Sequence, residues 1–236
     1  MKQNTRVFLK DKETAQKYNP RLAIFISEYK KFKELKGRPL KILDIGSGRN
    51  PEIFDFKYND DKYFACDYYD SIDKEVYLYK RIDLNTENLS ELFRSEKFDV
   101  VFCGEVIEHL FSPDYLVNEI KKIMHDDGVL ILSTPNLGYF MNRVMLLFGI
   151  SPFFLENSSE YKFGRFFKFF GAMNQTEGHI RLFTFAALKE FIKFHDFKIL
   201  RIISSVGPWN FFLDKIVAKF SKSLSATNVF ILKKNI

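Results

Sequence analysis

Residues 41–51 read KILDIGSGRNP, and this stretch decides the fold. A short apolar run carries an acid, Asp44, turns through Gly46 and Gly48, and meets Pro51, which favours the first turn of a helix. A dinucleotide-binding fingerprint has a third glycine at the start of the helix, where pyrophosphate rests on free N–H groups. Proline has no N–H to donate. The stretch therefore predicts a strand–turn–helix unit whose ligand is not a dinucleotide.

Short apolar segments on either side of this unit alternate with helical patterns. The apolar segments predict strands at Leu40–Ile45, Tyr63–Asp67, Tyr77–Asp83, Phe98–Cys103, Val129–Ser133, Lys198–Ser204 and Asn228–Leu232. Helices are predicted within residues 22–35, from Asn50 onward, and at 86–94, 105–110, 112–125 and 184–195, with Ser112 and Thr184 as N-caps. Strands that are apolar on both faces and alternate with helices favour a parallel sheet covered on both sides.

Acidic residues stand at the ends of three successive predicted strands. These residues are Asp44, Asp67 and Asp83, and ligands of open parallel sheets bind outside the carboxyl ends of the strands. Asp44 would repel a pyrophosphate but suits a cationic ligand. S-adenosylmethionine has an ammonium group, a sulfonium group and no phosphate. Asp67 is then placed to accept both ribose hydroxyls, and Asp83 lies within reach of the adenine amino group.

With these residues the chain resembles the class I S-adenosylmethionine-dependent methyltransferases. The motifs are ILDIGSG, ACD, IDL and FDVVFCGEVIEHL within residues 38–136, and GHIRLFTFAALKEF at 178–191, and they are most similar to the subgroup of quinone-biosynthesis O-methyltransferases. The resemblance implies a three-layer, Rossmann-like α/β sandwich with a seven-stranded, mostly parallel sheet and an antiparallel last strand. It assigns S-adenosylmethionine and its product S-adenosylhomocysteine to Asp44, Gly46, Ser47, Gly48, Asn50, Asp67, Tyr68, Asp83, Leu84, Gly104 and Glu105. The short segment between Gly48 and Tyr63 departs from the family and leaves room for only a stunted first helix.

The stretch EVIEHL supplies candidate catalytic residues. On a helix over 105–110, Glu105, Glu108 and His109 would share one face. His109 could act as a general base, or the three side chains could hold Mg²⁺ or another divalent cation. The set is similar to one that ligates an ion in quinone-biosynthesis and small-RNA 2′-O-methyltransferases, and that similarity adds His179 as a further ligand. A structural cap or ion pair is the third alternative.

Residues 137–178 are crowded with phenylalanine and predict a helical cap insertion on the acceptor side. The aromatic side chains would line an apolar pocket or form the core of the cap. Tyr139, Tyr161, Arg165 and Arg181 are the polar residues predicted to orient an acceptor. A second insertion, 208–226, contains an amphipathic pattern at 210–224 that predicts either a helix covering the sheet or a peripheral membrane contact.

The expected organisation is an N-terminal helical extension over residues 1–38 and a methyltransferase domain over 39–236. No apolar run approaches the ~18 residues of a membrane-spanning helix, the first residues lack a signal-peptide core, and a cytoplasmic location is expected. The two cysteines, Cys66 and Cys103, lie within predicted strands.

The predicted activity is O-methylation of a hydroxyl on a small molecule, such as a sugar, a nucleotide-sugar or a quinone precursor. An RNA 2′-O-methyltransferase is an alternative that the net charge of +6 favours and the absence of arginine clusters disfavours. A hydride-transferring dehydrogenase is the alternative by fold, and a catalytically inactive scaffold is the alternative outside the enzymes.

Overall fold

Seven apolar segments form the strands of a single sheet. The computed structural model describes residues 19–165, 174–205, 216–217 and 219–235. The strands are β1 (Lys41–Ile45), β2 (Lys62–Asp67), β3 (Leu78–Arg81), β4 (Phe98–Gly104), β5 (Met124–Pro135), β6 (Phe197–Ser205) and β7 (Thr227–Lys234). Their order across the sheet is β3-β2-β1-β4-β5-β7-β6.

Strands β1 to β5 pair in parallel, and β7 runs antiparallel to both of its neighbours, β5 and β6. The chain winds outward from β1 in one direction and then, from β4, in the other. Such a reversal opens a crevice outside the carboxyl ends of the two central strands. The predicted fold class, a mostly parallel seven-stranded sheet with an antiparallel last strand, is confirmed.

Five α-helices accompany the described strands. They are α1 (Pro20–Lys36), α2 (Leu89–Leu92), α3 (Pro113–Ile123), α4 (Phe140–Leu147) and α5 (Phe185–Phe194), with 3₁₀ turns at Glu52–Phe56, Ile107–His109 and Lys222–Leu224. The predicted N-caps are confirmed, because the Ser112 hydroxyl accepts from Tyr115 N and the Thr184 hydroxyl accepts from Ala187 N. Capping satisfies backbone donors that have no partner inside the helix.

The two faces of the sheet are buried in separate apolar cores. Leu43 and Ile45 of β1 point into the core covered by α3 and α5, while Ile42 points into the core covered by α1. In the second core the rings of Phe25 and Phe102 stack at a centroid distance of 5.6 Å. Helix α1 is therefore one of the three layers. The part of the predicted N-terminal extension that the structure describes belongs to the core.

Polar contacts also fix α1 to the strand edge. The Tyr29 hydroxyl donates to Asp61, and Lys33 Nζ lies 2.6 Å from Asp61 Oδ1 and 2.7 Å from Asp60 Oδ2. Asp61 in turn accepts from Leu40 N at 2.7 Å, at the entry to β1. The C-terminal half of α1 is thus held at the entry to β1.

Three predicted helical segments are short. The segment after β1 forms only the 3₁₀ turn Glu52–Phe56, as its length predicted. Helix α2 has four residues, fewer than the 86–94 segment predicted. The prediction of a helix over 105–110 is wrong. Glu105 has a φ of 58°, and only Ile107–His109 forms a 3₁₀ turn, because β4 continues as far as Gly104.

Part of the predicted cap and of the second insertion falls outside the described residues. These residues include Phe166, Phe167, Phe169, Phe170, and residues 210–215 and 218 of the amphipathic segment 210–224. Within the described part of the cap, Tyr139, Met145, Phe153 and Phe154 form an apolar cluster. None of the helices in the described ranges has the length and apolar character needed to cross a membrane.

Candidate active site

The glycine turn after β1 is fixed to β2 by backbone hydrogen bonds. Gly46 and Gly48 adopt φ values of 69° and 66°, a region that side chains disfavour. Gly46 N donates to Cys66 O at 2.9 Å, and Gly48 N donates to Asp67 Oδ2 at 2.8 Å. A Cβ at Gly46 would lie 2.4 Å from Cγ2 of Val106, whereas a Cβ at Gly48 would meet nothing within 4 Å. The turn therefore needs glycine at Gly46 for space as well as for conformation.

Asp44 is a buried carboxylate at the bottom of the crevice. Its Oδ2 accepts from the Tyr63 hydroxyl, and the residue is 7% exposed. Burial raises the pKa of Asp44 to about 7, the Tyr63 hydrogen bond opposes that rise, and the charge of Asp67 adds to it. A cation bound beside Asp44 would favour its ionised form.

Asp67 is oriented by two backbone donors. Its Oδ2 accepts from Gly48 N, and its Oδ1 accepts from Tyr68 N at 2.7 Å. An ionised carboxylate has about four lone-pair sites, so each oxygen can accept a further hydrogen bond. The Tyr68 ring is 63% exposed, and the guanidinium of Arg81 lies 5.0 Å from its centroid.

Helix α1 and the glycine turn form opposite walls of a cleft of about 230 Å³. Its lining residues are Asn19, Arg21, Leu22, Phe25, Asp44, Gly46, Ser47, Gly48, Arg49, Asn50, Glu52, Ile53 and Gly104. A Cβ at Gly104 would lie 2.9 Å from the ring of Phe25 and 3.0 Å from Nη1 of Arg21, so the helix can approach only a glycine there. The sequence analysis assigned no role to Arg21. The only sequence feature that could have indicated one is its position in the first turn of α1, after the Asn19 cap and Pro20.

Glu105 points toward Arg21 and away from the other residues of EVIEHL. Its Oε1 accepts from the Ser133 hydroxyl at 2.9 Å and lies 3.5 Å from Arg21 Nη1. The predicted common face with Glu108 and His109 required an α-helix that does not form. Glu105 therefore lies outside the group of ligand atoms that the structure brings together.

Glu108 is fully buried, and only one of its two carboxylate oxygens has a hydrogen-bond partner among the described residues. Its Oε2 accepts from the Thr134 hydroxyl at 2.9 Å, while its Oε1 has no hydrogen-bond partner among the described residues. Burial, and then the charge of Glu105, hold the pKa of Glu108 well above its ordinary value, while Arg21 lowers it.

His109 and His179 meet next to Glu108, as the predicted ligand set requires. His109 Nε2 lies 3.9 Å from Glu108 Oε1, and the centroids of the two imidazole rings are 5.0 Å apart. His109 Nδ1 lies 3.1 Å from Gly178 O, and this carbonyl can only accept, so Nδ1 carries the hydrogen and Nε2 is the free base. Burial lowers the pKa of His109, and the hydrogen bond to Gly178 opposes that effect.

The cluster fits two chemical roles. Ligand atoms of Glu108, His109 and His179 all lie within 4.8 Å of one another, and a carboxylate with two imidazoles suits a divalent transition metal. An imidazole ring with a free Nε2 equally suits a general base. The unpartnered Oε1 of Glu108 is the observation that agrees with a bound cation.

Asp83 and Leu84 do not line the cleft. Asp83 lies two residues beyond β3, and its Oδ1 accepts from Asn85 N at 2.9 Å, which caps the turn that follows. Leu84 packs against the core under α3. Ser47 and Asn50 do line the cleft, and the Ser47 hydroxyl donates to Gly48 O at 3.3 Å.

Two of the four predicted acceptor residues are buried within the cap. Tyr139 is fully buried in the apolar cluster, and Arg165 donates to the carbonyls of Pro152 and Phe153, the latter at 2.6 Å. Their prediction as acceptor contacts is corrected, because a guanidinium bonded to main-chain carbonyls supports the fold of the cap. Tyr161 and Arg181 are exposed, and Arg181 Nε donates to Phe111 O at 3.4 Å, two residues beyond His109.

The chain matches a family model described as a methyltransferase domain over residues 14–202. A curated relative, the ubiquinone biosynthesis O-methyltransferase of Glaesserella parasuis serovar 5 (strain SH0165), is 40% identical over 42 residues, which are 18% of this chain and 18% of that protein. The matched segment thus spans less than a fifth of this curated relative.

Solved structures share the fold over most of the chain. A S-adenosylmethionine-dependent methyltransferase from Clostridium acetobutylicum ATCC 824 gives a TM-score of 0.58 at 13% identity, and the match covers 93% of this chain and 92% of that chain. The Burkholderia thailandensis 1,6-didemethyltoxoflavin-N1-methyltransferase, solved with 1,6-didemethyltoxoflavin and S-adenosylhomocysteine, gives 0.52 at 15% identity, covering 93% of this chain and 78% of that chain.

Proposed function

Because this chain belongs to the methyltransferase domain family and has the fold of the class I S-adenosylmethionine-dependent enzymes, we propose that it methylates a hydroxyl oxygen of a small molecule. The observation that carries the choice of a hydroxyl is the geometry of His109, whose Nδ1 lies 3.1 Å from the Gly178 carbonyl and whose Nε2 is left as the basic nitrogen. A hydroxyl needs its proton removed or masked as it attacks, whereas a neutral amine can attack without a base. A sugar, a nucleotide-sugar and a quinone precursor are the candidate acceptors, and the short match to a ubiquinone biosynthesis O-methyltransferase agrees with the last.

Four side chains in and beside the cleft are proposed to hold the methyl donor. Asp44 receives the ammonium group, Arg21 faces the carboxylate, and Asp67 accepts the ribose hydroxyls. Tyr68 flanks the adenine ring. The bound donor supplies a methyl group that is already activated by its sulfonium sulfur. The work of the protein is then alignment, which brings the acceptor oxygen close to that methyl.

Asp83, Leu84 and Glu105 have a weaker claim to donor contacts. Asp83 already caps the turn at Asn85, and Glu105 is engaged by Ser133 and Arg21. We propose that Glu105 holds Arg21 in place. We expect Asp83 and Leu84 to border the adenine side of the site without making a hydrogen bond that contributes to affinity.

His109 is proposed to take the proton of the acceptor hydroxyl at Nε2. The Gly178 carbonyl holds Nδ1–H, so the protonated ring keeps a hydrogen bond to a fixed acceptor. If a divalent cation binds, Glu108, His109 and His179 hold it, and its charge lowers the pKa of the acceptor hydroxyl. The two arrangements are alternatives, because Nε2 of His109 cannot bind a cation and accept the hydroxyl proton at the same time.

The test is a methyl-transfer assay with hydroxyl and amine acceptors of matched shape. The full chain is incubated with methyl-labelled S-adenosylmethionine and a panel of catechols, sugars, nucleotide-sugars and the corresponding amines, with either Mn²⁺ or a chelator. We expect label in hydroxyl acceptors and loss of turnover in His109→Gln. Label in the amines alone would refute the proposal, and full turnover in chelator would remove the cation.

The assay with RNA as acceptor, together with calorimetry, tests the two other candidate functions. Label in a 2′-hydroxyl of RNA, with affinity that falls steeply as salt rises, would identify an RNA enzyme. Failure to bind S-adenosylhomocysteine in calorimetry would identify an inactive scaffold. A peripheral membrane contact through 210–224 stays a prediction, and liposome flotation tests it.

A further inference from the structure

Two oppositely charged side chains of the cap are buried together. Lys162 and Glu156 have side-chain exposures of 3% and 5%, and Lys162 Nζ lies 3.3 Å from Glu156 Oε1. The same ammonium lies 3.5 Å from Glu177 Oε1. A buried ion pair loses its hydration, so it gives little net stability unless further hydrogen bonds complete it. The pair therefore calls for a reason other than stability.

Glu156 uses both carboxylate oxygens to hold the loop that precedes His179. Oε1 accepts from Glu177 N at 2.8 Å, and Oε2 accepts from Gly178 N at 2.9 Å. These bonds hold the pKa of Glu156 below its ordinary value against the opposing effect of burial. Gly178 has a φ of 89°, so the peptide that follows it has a direction which ordinary residues rarely adopt.

The peptide held in this way is the one that His109 contacts. Gly178 O is the partner of His109 Nδ1 at 3.1 Å, and on the other side of the loop Ile180 N donates to Glu108 O at 2.7 Å. The cap also holds His179 directly, since Phe154 O lies 3.1 Å from its Nδ1. The position of one carbonyl, and with it the tautomer of His109, thus depends on a carboxylate 47 positions along the chain from His109.

We propose that Glu156, neutralised by Lys162, is the positioning residue that fixes the tautomer and orientation of His109 through the Gly178 carbonyl. The carboxylate aligns two successive N–H groups, the carbonyl of the second residue then faces Nδ1, and Nε2 is left as the basic nitrogen. The cap thereby prepares the base that removes the acceptor proton. This inference rests on the proposed role of His109.

A second cation site is the competing explanation for the same cluster. Ligand atoms of Glu156, Glu177 and His179 lie within 4.8 Å of one another. However, the Lys162 ammonium already supplies a positive charge at this point, and both oxygens of Glu156 accept backbone hydrogen atoms. A divalent ion would have to displace the lysine, so the cluster is better explained as an internal ion pair.

The test reads the tautomer of His109 directly and needs no acceptor. The full chain is labelled with ¹⁵N in its four histidines, and long-range ¹H–¹⁵N spectra report which ring nitrogen carries hydrogen. His109→Gln assigns the signal. We expect the wild type to show a protonated Nδ1 and a free Nε2, and Glu156→Gln to show a mixture of both tautomers, with faster modification of His109 by diethyl pyrocarbonate.

Glu119→Gln is the matched control. Glu119 is also a buried glutamate that pairs with a lysine, Lys122, and accepts a backbone N–H, from Ser90 at 2.9 Å, but it joins α2 to α3. We expect this variant to lose a similar amount of thermal stability and to leave the His109 signal unchanged. Glu156→Asp keeps the charge but shortens the side chain by one methylene, and it replaces Glu156→Gln if that variant does not fold.

An unchanged His109 tautomer in the folded Glu156 variant would overturn the inference, as would the same change in Glu119→Gln. Binding of Mn²⁺ that Lys162→Met strengthens would instead support the second cation site. Because these readouts do not involve methyl transfer, they stand or fall separately from the proposed reaction: His109→Gln with full turnover would refute the role of His109 and leave the tautomer result intact.

Discussion

The cofactor cleft and the acceptor side of this protein are built in opposite ways. Opposite the wall that α1 forms, the cleft uses the ends of β1 and β2 and one glycine turn, whose hydrogen bonds join residues within about 20 positions of one another, such as Gly48 and Asp67. The acceptor side joins segments far apart in sequence, such as the carbonyl of Glu108 and the N–H of Ile180. The first region depends on a local motif and the second on the packing of the cap, so they should fail separately when mutated.

Replacing His109 should give the largest difference between effects on the acceptor side and effects on the cofactor cleft. We expect His109→Gln to lower kcat by roughly 10²–10⁴-fold, the usual contribution of a general base. The affinity for S-adenosylhomocysteine should stay within about twofold, because His109 does not line the cleft. Calorimetry and turnover on the same sample measure both quantities.

His195→Gln provides the control for that variant. His195 is buried but pairs with Asp114 of α3 at 2.9 Å, and its replacement should lower stability alone. A tighter or weaker cofactor complex in His109→Gln would show that the two regions are one functional unit.

Replacing Asp67 should have the next largest effect, on the cofactor side. We expect Asp67→Ala to weaken S-adenosylhomocysteine by about 100-fold, because hydrogen bonds to a charged acceptor are worth roughly 1.5–3 kcal/mol. Turnover at saturating donor should change much less. Calorimetric titration gives the first number and steady-state kinetics the second.

Asp83→Ala is the control for this prediction, since Asp83 lies two residues beyond the neighbouring strand β3 and its Oδ1 already accepts from Asn85 N. Its effect on affinity should be only a fewfold. Equal losses in the two variants would contradict the assignment of the ribose to Asp67.

The pH dependence of donor binding should report on Asp44. A bound ammonium group needs the ionised carboxylate, and the pKa of Asp44 is raised to about 7 in the free protein. Affinity should therefore be highest above pH 7 and fall as the pH drops and a proton competes, by about tenfold between pH 8 and pH 6. Calorimetry at a series of pH values measures this directly.

Asp44→Asn should bind weakly and without that pH dependence. It should also unfold at a higher temperature at pH 8, because a group whose pKa is raised on folding opposes folding once it must be ionised. If the donor affinity of the wild type does not change with pH, the ammonium group does not bind at Asp44.

The smallest effect distinguishes two glycines within the cleft. Gly46→Ala places a methyl 2.4 Å from Val106, and we expect a loss of about 2–3 kcal/mol in the free energy of unfolding. Gly48→Ala meets open space and should cost only the roughly 1–2 kcal/mol of a left-handed conformation. Chemical denaturation measures both losses, and equal values would mean that the turn relaxes away from Val106.

The features that the sequence predicted best are those that depend on a short segment of the chain. Each strand was expected within a few residues of where it lies, and Ser112 and Thr184 cap their helices as expected. A cap depends on a side chain and a backbone donor three positions away, and a buried strand depends on its own apolar residues. The stunted helix after the glycine turn followed from the length of the segment alone.

The errors concern residues whose position depends on distant partners. Helical spacing placed Glu105 beside Glu108 and His109, but Glu105 follows the last residue of β4, has a φ of 58° and turns toward Arg21. Arg21 was missed because only the packing of α1 over Gly104 brings it to the cleft. Arg165 was expected at the acceptor and instead bonds to carbonyls of the cap.

The sequence by itself determined a parallel sheet, a glycine turn without a third glycine and acids after the strands, and these select the family. Tertiary structure alone decided which charged groups meet: Arg21 with Glu105, His109 with His179, and Lys162 with Glu156. The reason is physical. Backbone preferences and apolar periodicity act within a few residues, whereas a buried charge is placed by whichever partner the closed chain brings to it.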